Sequence, residues 1–198
     1  MNILIESLPE AVEVDGKTYK INTDFRNCLR IILAYEDNEL SDREKVFVML
    51  RNIYGEKIPQ NLKEAVRMAV KFLNCGEERD EESTGDSGYR LYSFSQDAKY
   101  IYSAIKQSHG VDLETVHGLH WWKFCYMFLD LKEDCFFNRM VSLRQKYFEG
   151  KLTKEERGVY AKLRNILEIE QTFTAEEKAA EERFMKLLKG GEVLGGGL

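Results

Sequence analysis

The three histidines are the side chains of this sequence with the most potential for chemistry near neutral pH, because an imidazole can bind a metal or carry a proton. His117 and His120 are three residues apart, so on one helix they would face the same way and could share a metal with Cys125 or Asp130. A metal site needs three or four converging ligands, but Cys125 and Asp130 fall on faces of the helix other than that of the two histidines. We therefore predict one imidazole bonded to backbone at a helix start and the other packed among aromatic rings. His109 is predicted to be a favourable cation at a helix C-terminus.

A second candidate for chemistry is the tetrapeptide Gly85-Asp86-Ser87-Gly88, which matches the residues around the nucleophilic serine of chymotrypsin-like proteases. Those enzymes hold the serine in a β-barrel against a paired histidine and aspartate, whereas this tetrapeptide lies in an acidic loop of a helical chain. The sequence has no Walker A, HExxH, EF-hand or dinucleotide-type glycine pattern, and its carboxylates are mostly at helix caps and on solvated faces. We therefore expect no enzymatic activity, no cofactor and no metal.

The composition indicates a globular, mainly helical chain. It has 198 residues, of which 43% are hydrophobic and 32% charged, and only two are prolines. The net charge of −5 argues weakly against binding to nucleic acid or an anionic membrane. The start, MNILIESLPEAVEV, lacks a basic flank before an apolar core, and no later stretch could span a bilayer, so we expect neither a secretory signal nor a membrane anchor. The four cysteines are expected to be reduced thiols in a cytosolic compartment: Cys28, Cys75, Cys125 and Cys135.

The elements that must position these residues are organised around one apolar stretch, His117 to Leu131 (HGLHWWKFCYMFLDL). Read as a helix, it carries charge only at Lys123 and Asp130 and presents two apolar sides. One side comprises Leu119, Trp122, Tyr126 and Leu129, and the other comprises Trp121, Phe124, Cys125 and Phe128. A helix that is apolar nearly all round is surrounded by protein or lipid, and about 15 residues is too short for a bilayer. We predict a buried central helix whose second side is closed by a helix at 133–148.

Residues 1–76 are predicted to form a hairpin and three helices. The Asp15-Gly16 dipeptide favours a type I′ turn, and Asn22 or Thr23 is expected to cap the first helix. The second helix opens on the capping box Ser41-Asp-Arg-Glu44 and stops at Gly55, and the third is expected to begin near Pro59 and end at Gly76. Helical spacing assigns the following residues to the buried faces: Phe25, Cys28, Leu29, Ile32 and Leu33; Val46, Met49, Leu50, Ile53 and Tyr54; Leu62, Ala65, Val66, Ala69, Val70 and Leu73.

Residues 77–93 are predicted to be a mobile acidic loop, because 77–88 contain six acids, one arginine and no apolar side chain. Residues 94–189 are predicted to form a C-terminal bundle that packs on the first part as one globular unit, and 190–198 a flexible Gly-rich tail. Ser95 and the capping boxes at 153–156 and 174–177 are the expected helix starts. The expected inward residues are Ala98, Ile101, Tyr102 and Ile105; Phe136, Met140, Leu143 and Tyr147; Val159, Leu163 and Ile166 or Leu167; Phe184, Leu187 and Leu188. The predicted fold is thus mainly α, a multi-helix bundle with a small N-terminal β-hairpin.

Four blocks of sequence resemble the bacteriophage gene-product-fifteen family, found in tail gene clusters of long-tailed phages and prophages of Gram-positive bacteria. The first block is Leu8-Pro9 with Val14-Asp-Gly-Lys-Thr-Tyr-Lys-Ile-Asn-Thr-Asp-Phe-Arg26, and the second is Phe72-Leu-Asn-Cys-Gly76. The third is Asp97-Ala-Lys-Tyr-Ile-Tyr-Ser-Ala104 with Gly110-Val-Asp-Leu113. The fourth is Leu119-His-Trp-Trp-Lys-Phe124, continued by Leu129, Leu131 and Arg144. The resemblance spans roughly residues 5 to 170, with the blocks in the same order and spacing.

The resemblance implies a non-enzymatic role in tail morphogenesis in the host bacterial cytoplasm. It suggests an assembly chaperone or accessory that contacts the tape measure protein or other tail proteins, with self-association as a further option, and no membrane partner. The residues expected either to bind a partner or to form a core signature are Trp121, Trp122, Lys123, Phe124, Tyr126 and Leu129. Because a tape measure protein is long and helical, an apolar groove walled by the tryptophan helix would suit it.

The alternative hypothesis is a small phage regulatory or nucleic-acid-binding protein. Its basis is the stretch Lys132 to Arg164, which has nine Lys or Arg against five acids. Such a mildly basic stretch is more often a solvated face, so nucleic acid remains the second choice of partner.

Overall fold

The computed structural model describes residues 2–77 and 90–169. Within these ranges the chain forms eight helices and one two-stranded antiparallel hairpin, which confirms the mainly α fold. Several predicted features lie outside the described residues: most of the acidic loop, including the tetrapeptide 85–88, the helix expected from residue 174, and the Gly-rich tail. Among the described helices, none has the length and apolar character needed to cross a membrane.

The hairpin pairs β1 (Ala11–Val14) with β2 (Lys17–Lys20). Its two-residue turn has φ values of 50° at Asp15 and 72° at Gly16. Both central residues of a type I′ turn need positive φ, so the turn predicted from the Asp-Gly dipeptide is confirmed.

The helices have the following bounds: α1 (Phe25–Glu36), α2 (Asp42–Tyr54), α3 (Leu62–Leu73), α4 (Ala98–His109), α5 (Trp121–Leu129), α6 (Phe136–Phe148), α7 (Lys154–Lys162) and α8 (Arg164–Leu167). Both capping boxes within the described residues are formed. Ser41 and Thr153 accept hydrogen bonds from the backbone N–H groups of Glu44 and Glu156, whose carboxylates bond back to the N-cap N–H groups.

Several helices begin later than predicted, and their N-cap residues differ from the predicted ones. Asp24, rather than Asn22 or Thr23, caps α1 by accepting from the N–H of Arg26 at 2.9 Å. Asn61 caps α3, so this helix does not begin near Pro59. The N-cap of α4 is Asp97 rather than Ser95, and Ser95 lies in the preceding turn, where its N–H donates to the Oγ of Ser93 at 3.2 Å. The helix predicted at 133–148 begins only at residue 136.

Two hydrophobic clusters form the core. The larger one draws buried side chains from α1 to α6, on both sides of residues 78–89. The smaller one joins α6 to the following segment through Met140, Leu152, Tyr160 and Leu167. The inward faces of α1, α6 and α7 are turned relative to the prediction. Ile31, Phe137, Arg144 and Tyr160 are buried, whereas Leu33, Phe136, Tyr147 and Val159 are exposed, as are Leu62, Val70 and Ala98 of α3 and α4.

Candidate functional site

His120 sits at the N-cap of α5, where its ring joins three parts of the chain. Its Nδ1 accepts from the N–H of Trp122 at 3.1 Å, and its Nε2–H donates to the carbonyl of Pro9 at 3.1 Å. Its ring also packs edge-on against Phe72 and Trp122. Burial lowers the pKa of His120, which favours the neutral ring that these two hydrogen bonds require. The imidazole therefore positions the start of α5.

The structure corrects the predicted histidine arrangement. α5 begins at Trp121, so His117 is an exposed residue before the helix and does not share a helical face with His120. One histidine, His120, provides both the backbone bond and the aromatic packing that were predicted for two. His109 ends α4 as predicted, and its Nε2 lies 2.8 Å from the carbonyl oxygen of Met127. Within residues 2–77 and 90–169, no group of three or more His, Cys, Asp or Glu could hold a metal.

The two tryptophans of α5 bind the C-terminal end of α3. The indole N–H of Trp121 donates to the carbonyl of Leu73 at 2.9 Å, and that of Trp122 donates to the carbonyl of Phe72 at 2.8 Å. The last carbonyls of a helix have no partner within the helix, and the Trp121 indole supplies a donor to that of Leu73. The Phe72 carbonyl accepts from the Cys75 N–H at 3.1 Å as well as from the Trp122 indole. Both rings are buried. The two tryptophans therefore hold α5 against the C-terminal end of α3.

A tight turn after α3 makes room for the Trp122 ring. Cys75 and Gly76 adopt φ values of 57° and 87°, and the Gly76 N–H donates to the carbonyl of Lys71 at 2.8 Å. A Cβ on Gly76 would lie 3.0 Å from Cη2 of Trp122. Glycine is therefore needed here for two reasons: it adopts the left-handed backbone conformation without strain, and its lack of a Cβ leaves space for the buried Trp122 ring.

Replacing Gly76 by alanine is expected to lower the free energy of unfolding by about 2–4 kcal/mol, the sum of left-handed strain and overpacking against a ring that cannot move freely. Gly110→Ala is the matched control, because Gly110 has a φ of 70° but nothing lies within 4 Å of an added Cβ. We expect the control to cost only about 1 kcal/mol. Urea unfolding of both variants measures the difference, and equal losses would show that the Trp122 contact carries no energy.

Arg144 forms a second buried junction that was not predicted from the sequence. Its side chain is 1% exposed, and its guanidinium binds both carboxylate oxygens of Asp97 at 2.7 and 2.9 Å. It also donates to the carbonyls of Leu167, Ile166 and Leu91 at 2.7, 3.0 and 3.0 Å. The planar five-donor fork of arginine suits this arrangement and a lysine would not. This one side chain joins α6 to the start of α4, to the segment before α4 and to α8.

Arg26 links the first and third of the four resembling blocks. Its guanidinium donates to the carbonyls of Leu113 and Val116 at 2.6 and 3.0 Å. Beside it, the segment before α1 meets the start of α5, where the Trp121 N–H donates to the carbonyl of Thr23 at 2.7 Å. Together with the tryptophan bonds and the pair of Arg144 with Asp97, these contacts bring all four blocks together. The residues that carry the resemblance therefore hold the bundle together.

The described residues form a groove of about 700 Å³ beside α5. Trp121 and Phe124 are its buried apolar residues, and Leu129, which is 80% exposed, lies at its edge. The other lining residues come from α1, from the end of α3 and the turn after it, from the segment before α4, and from α5: Ile32, Glu36, Leu73, Asn74, Cys75, Glu77, Arg90, Leu91, Tyr92, Phe94, Cys125, Tyr126 and Phe128. Glu36 is occupied, since it pairs with Arg90 and accepts from the Oγ of Ser93 at 3.2 Å and the N–H of Phe94 at 3.3 Å.

The six residues expected to bind a partner or form a core signature divide between these two roles. Four line the groove: Trp121, Phe124, Tyr126 and Leu129. Trp122 is buried against Gly76, and Lys123 is exposed to solvent. Of the second side, which was expected to be closed by α6, Trp121 and Phe124 are buried and Phe128 packs on Phe137 of α6 with ring centroids 5.6 Å apart, while Cys125 and Phe128 are half-buried groove residues. The α5 residues that line the groove therefore come from both of its apolar sides.

A second groove, of about 950 Å³, lies between the hairpin and the end of α2. Its lining is largely polar and charged, with Glu10, Lys20, Asp24 and Lys57 among its residues. The hydroxyl of Tyr54, which also lines it, already donates to the carbonyl of Ala65 at 2.8 Å. The groove beside α5 is therefore the better site for an apolar partner.

The basic stretch from Lys132 to Arg164 is less available than its composition suggests. Arg144 is buried against Asp97, and the other paired cations are Lys146 with Glu156, Lys151 with Glu149 and Arg164 with Glu168. Counting only partners among the described residues, four of the nine cations are bound to carboxylates, which reduces the positive field that a nucleic acid would meet.

The fold and the groove define a helical bundle protein with an apolar surface beside its central helix. The chain belongs to the bacteriophage Gp15 family, since the family described as Bacteriophage Gp15 protein matches residues 4–169. This match confirms the resemblance carried by the four blocks and makes this a phage protein. No curated protein and no solved structure matches the chain.

Proposed function

We propose that this Gp15-family chain is a non-enzymatic tail morphogenesis protein that acts in the host cytoplasm as an assembly chaperone or accessory. The observation that carries the proposal is the apolar groove that the described residues form beside α5, with Leu129, 80% exposed, among its lining residues. Contiguous apolar surface of this kind on a globular protein marks a binding site. The family membership supplies the phage context.

The proposed occupant is the apolar stripe of an amphipathic helix from a tail protein, with the tape measure protein as the first choice. A helix presents apolar side chains at i, i+3 or i+4, and i+7, and such a row fits an elongated apolar groove. A groove of about 700 Å³ has room for a few large side chains of that row. The paired Glu36 and Arg90 beside the apolar lining form a polar rim of the kind that surrounds protein-binding sites.

Replacing Leu129 by glutamate is expected to weaken binding of the tape measure protein at least about tenfold, because the partner's apolar side chains would then desolvate a charge. The fold is expected to be unaffected, since Leu129 is 80% exposed. Binding is measured with purified full-length protein and purified tape measure segments, by calorimetry or fluorescence anisotropy.

Phe47→Glu is the matched control, because Phe47 is a 61% exposed aromatic residue on α2 and does not line the groove. It should bind like the unmodified chain. If Phe47→Glu weakens binding as much as Leu129→Glu, the groove is not the site. If the unmodified chain binds neither the tape measure protein nor any other tail protein when they are co-expressed, the proposed function itself is wrong.

A further inference from the structure

The described part of the chain ends beside the groove. Ile169, its last residue, lines a pocket of about 250 Å³ together with Arg90, and Arg90 also lines the groove beside α5. Arg144 fixes this arrangement, because its guanidinium donates to the carbonyl of Leu167 at 2.7 Å and to that of Leu91, another groove residue, at 3.0 Å. The residues that follow Ile169 therefore start next to the groove.

The sequence beyond residue 169 contains the kind of segment that the groove is proposed to bind. The capping box at 174–177 predicts the start of a helix, and Phe184, Leu187 and Leu188 share one side of that helix. Three large apolar side chains at i, i+3 and i+4 match the row that a helix presents to an apolar groove. The segment 174–189 therefore carries an apolar side of the right chemistry.

Charge complementarity favours the same segment. The charged residues that line the groove are Glu36, Glu77 and Arg90, of which Glu36 and Arg90 pair with each other. The remaining one, Glu77, is an exposed carboxylate. Residues 183–189, which carry the apolar side, contain one arginine, two lysines and no acid. A basic and apolar helix end is thus matched to an apolar groove with a negative rim.

We propose that the 174–189 segment folds back and covers the groove beside α5 of the same molecule, with its apolar side against the groove's apolar lining. The connection from Ile169 to Thr174 spans at most about 17 Å when fully extended, so the segment stays close to the groove. A tether this short gives an effective concentration on the order of millimolar. A contact that would be weak between separate molecules is therefore formed within one molecule.

A covered groove changes how a tail partner binds, and this part of the inference rests on the proposed function. If the intrinsic Kd of the segment is about 0.1 mM and its effective concentration about 1 mM, the groove is free in about one molecule in ten. The apparent affinity for a tape measure helix is then lowered about tenfold. The segment thus hides an apolar surface until a partner with stronger contacts replaces it.

The contact is tested by photo-cross-linking of the full-length protein, with benzoylphenylalanine incorporated in place of Leu129. Leu129 is a groove residue that is 80% exposed, so the replacement is compatible with the fold. Illumination of dilute protein should give a cross-link from position 129 to residues 174–189 of the same chain, found by peptide mapping of the monomeric product. Benzoylphenylalanine in place of Phe47 is the matched control, because Phe47 is 61% exposed but does not line the groove.

Substitutions in the segment show whether its apolar side makes the contact. Phe184→Glu combined with Leu187→Glu should reduce the cross-link at least about tenfold, because two charges would then be desolvated in the groove. Ala175→Glu is the control and should retain the cross-link, since Ala175 lies on the opposite side of the predicted helix. The inference is overturned if no cross-link to 174–189 forms, if it forms only between two molecules, if position 47 gives it equally, or if it survives the double substitution.

Binding of purified tape measure segments tests the inhibitory role separately. The double variant Phe184→Glu with Leu187→Glu should bind them about tenfold more tightly than the unmodified chain or Ala175→Glu. Equal affinities in the presence of the cross-link would overturn competition for the groove. If neither the variant nor the unmodified chain binds any tail protein, the proposed function fails, while a cross-link within one molecule still establishes the contact.

Discussion

Replacing Arg144 by leucine is expected to lower the free energy of unfolding by about 3–5 kcal/mol, because it leaves the Asp97 carboxylate buried without its partner. The same change removes the donors for the carbonyls of Leu167, Ile166 and Leu91. Unpaired buried acceptors add their own desolvation cost. Arg144→Lys should recover only part of the loss, since one ammonium cannot reproduce the forked contacts. Urea unfolding followed by far-UV circular dichroism measures the effect.

Lys146→Leu is the matched control on the same helix, because Lys146 pairs with Glu156 but is 43% exposed. A surface pair of this kind contributes at most about 1 kcal/mol. Adding Asp97→Leu to Arg144→Leu should restore some stability, since no charge is then stranded. The restoration is incomplete, because the three carbonyls remain without donors. Similar losses in Arg144→Leu and Lys146→Leu would contradict the buried junction.

The second large effect is expected at Trp122. Trp122→Ala should lower the free energy of unfolding by about 3–5 kcal/mol, because it opens a cavity between α5 and the end of α3. Trp122→Phe keeps much of the packing but loses the hydrogen bond to the carbonyl of Phe72, so about 1–3 kcal/mol is expected. The chain has two tryptophans, so Trp121 remains as the fluorescent reporter of unfolding in both variants.

Phe47→Ala is the control for the loss of an aromatic ring, since Phe47 is largely exposed on α2 and should change stability by less than about 0.5 kcal/mol. The order of stabilities should be Phe47→Ala, then Trp122→Phe, then Trp122→Ala. A Trp122→Phe variant as unstable as Trp122→Ala would mean that the indole hydrogen bond, and not the ring volume, dominates.

The parts of the fold that were predicted correctly rest on signals within a few residues of one another. The Asp15-Gly16 turn and the two capping boxes each need only two to four neighbouring residues to form. The apolar face of α2, with Met49, Leu50 and Ile53, is buried as its spacing predicts. Such local patterns retain their meaning whatever the rest of the chain does.

The incorrect predictions arise where the deciding partner is far away in the chain. Hydropathy predicts that an arginine in α6 is exposed and that Phe136 faces the core. Arg144 is nevertheless buried, because it binds Asp97, which lies 47 residues earlier in the chain. With Arg144 on the buried face of α6, Phe137 rather than Phe136 faces the core. The late start of α5 has the same origin, since His120 is fixed by a carbonyl 111 residues away at Pro9. No window of neighbouring residues contains that information.

The groove was predicted only in part. The apolar character of both sides of α5 indicated that one side needs a neighbour, but spacing alone does not say whether the neighbour belongs to the same chain. The groove forms because the end of α3 and the segment before α4 border α5 without filling the space beside it. That space depends on the position of three separate segments, and only the tertiary structure shows it.

The hydrogen bonds between residues 23–26 and 113–121 determine how early the chain can fold during its synthesis. A ribosome adds about 5–20 residues per second, so roughly 2–9 s pass between the appearance of Gly76 and that of Trp121. During that interval α1 and α3 are complete as sequence, but the side chains that cover Phe25 and Phe72 do not yet exist. Synthesis that stops before Trp121 therefore yields a chain with an open core rather than a smaller folded protein.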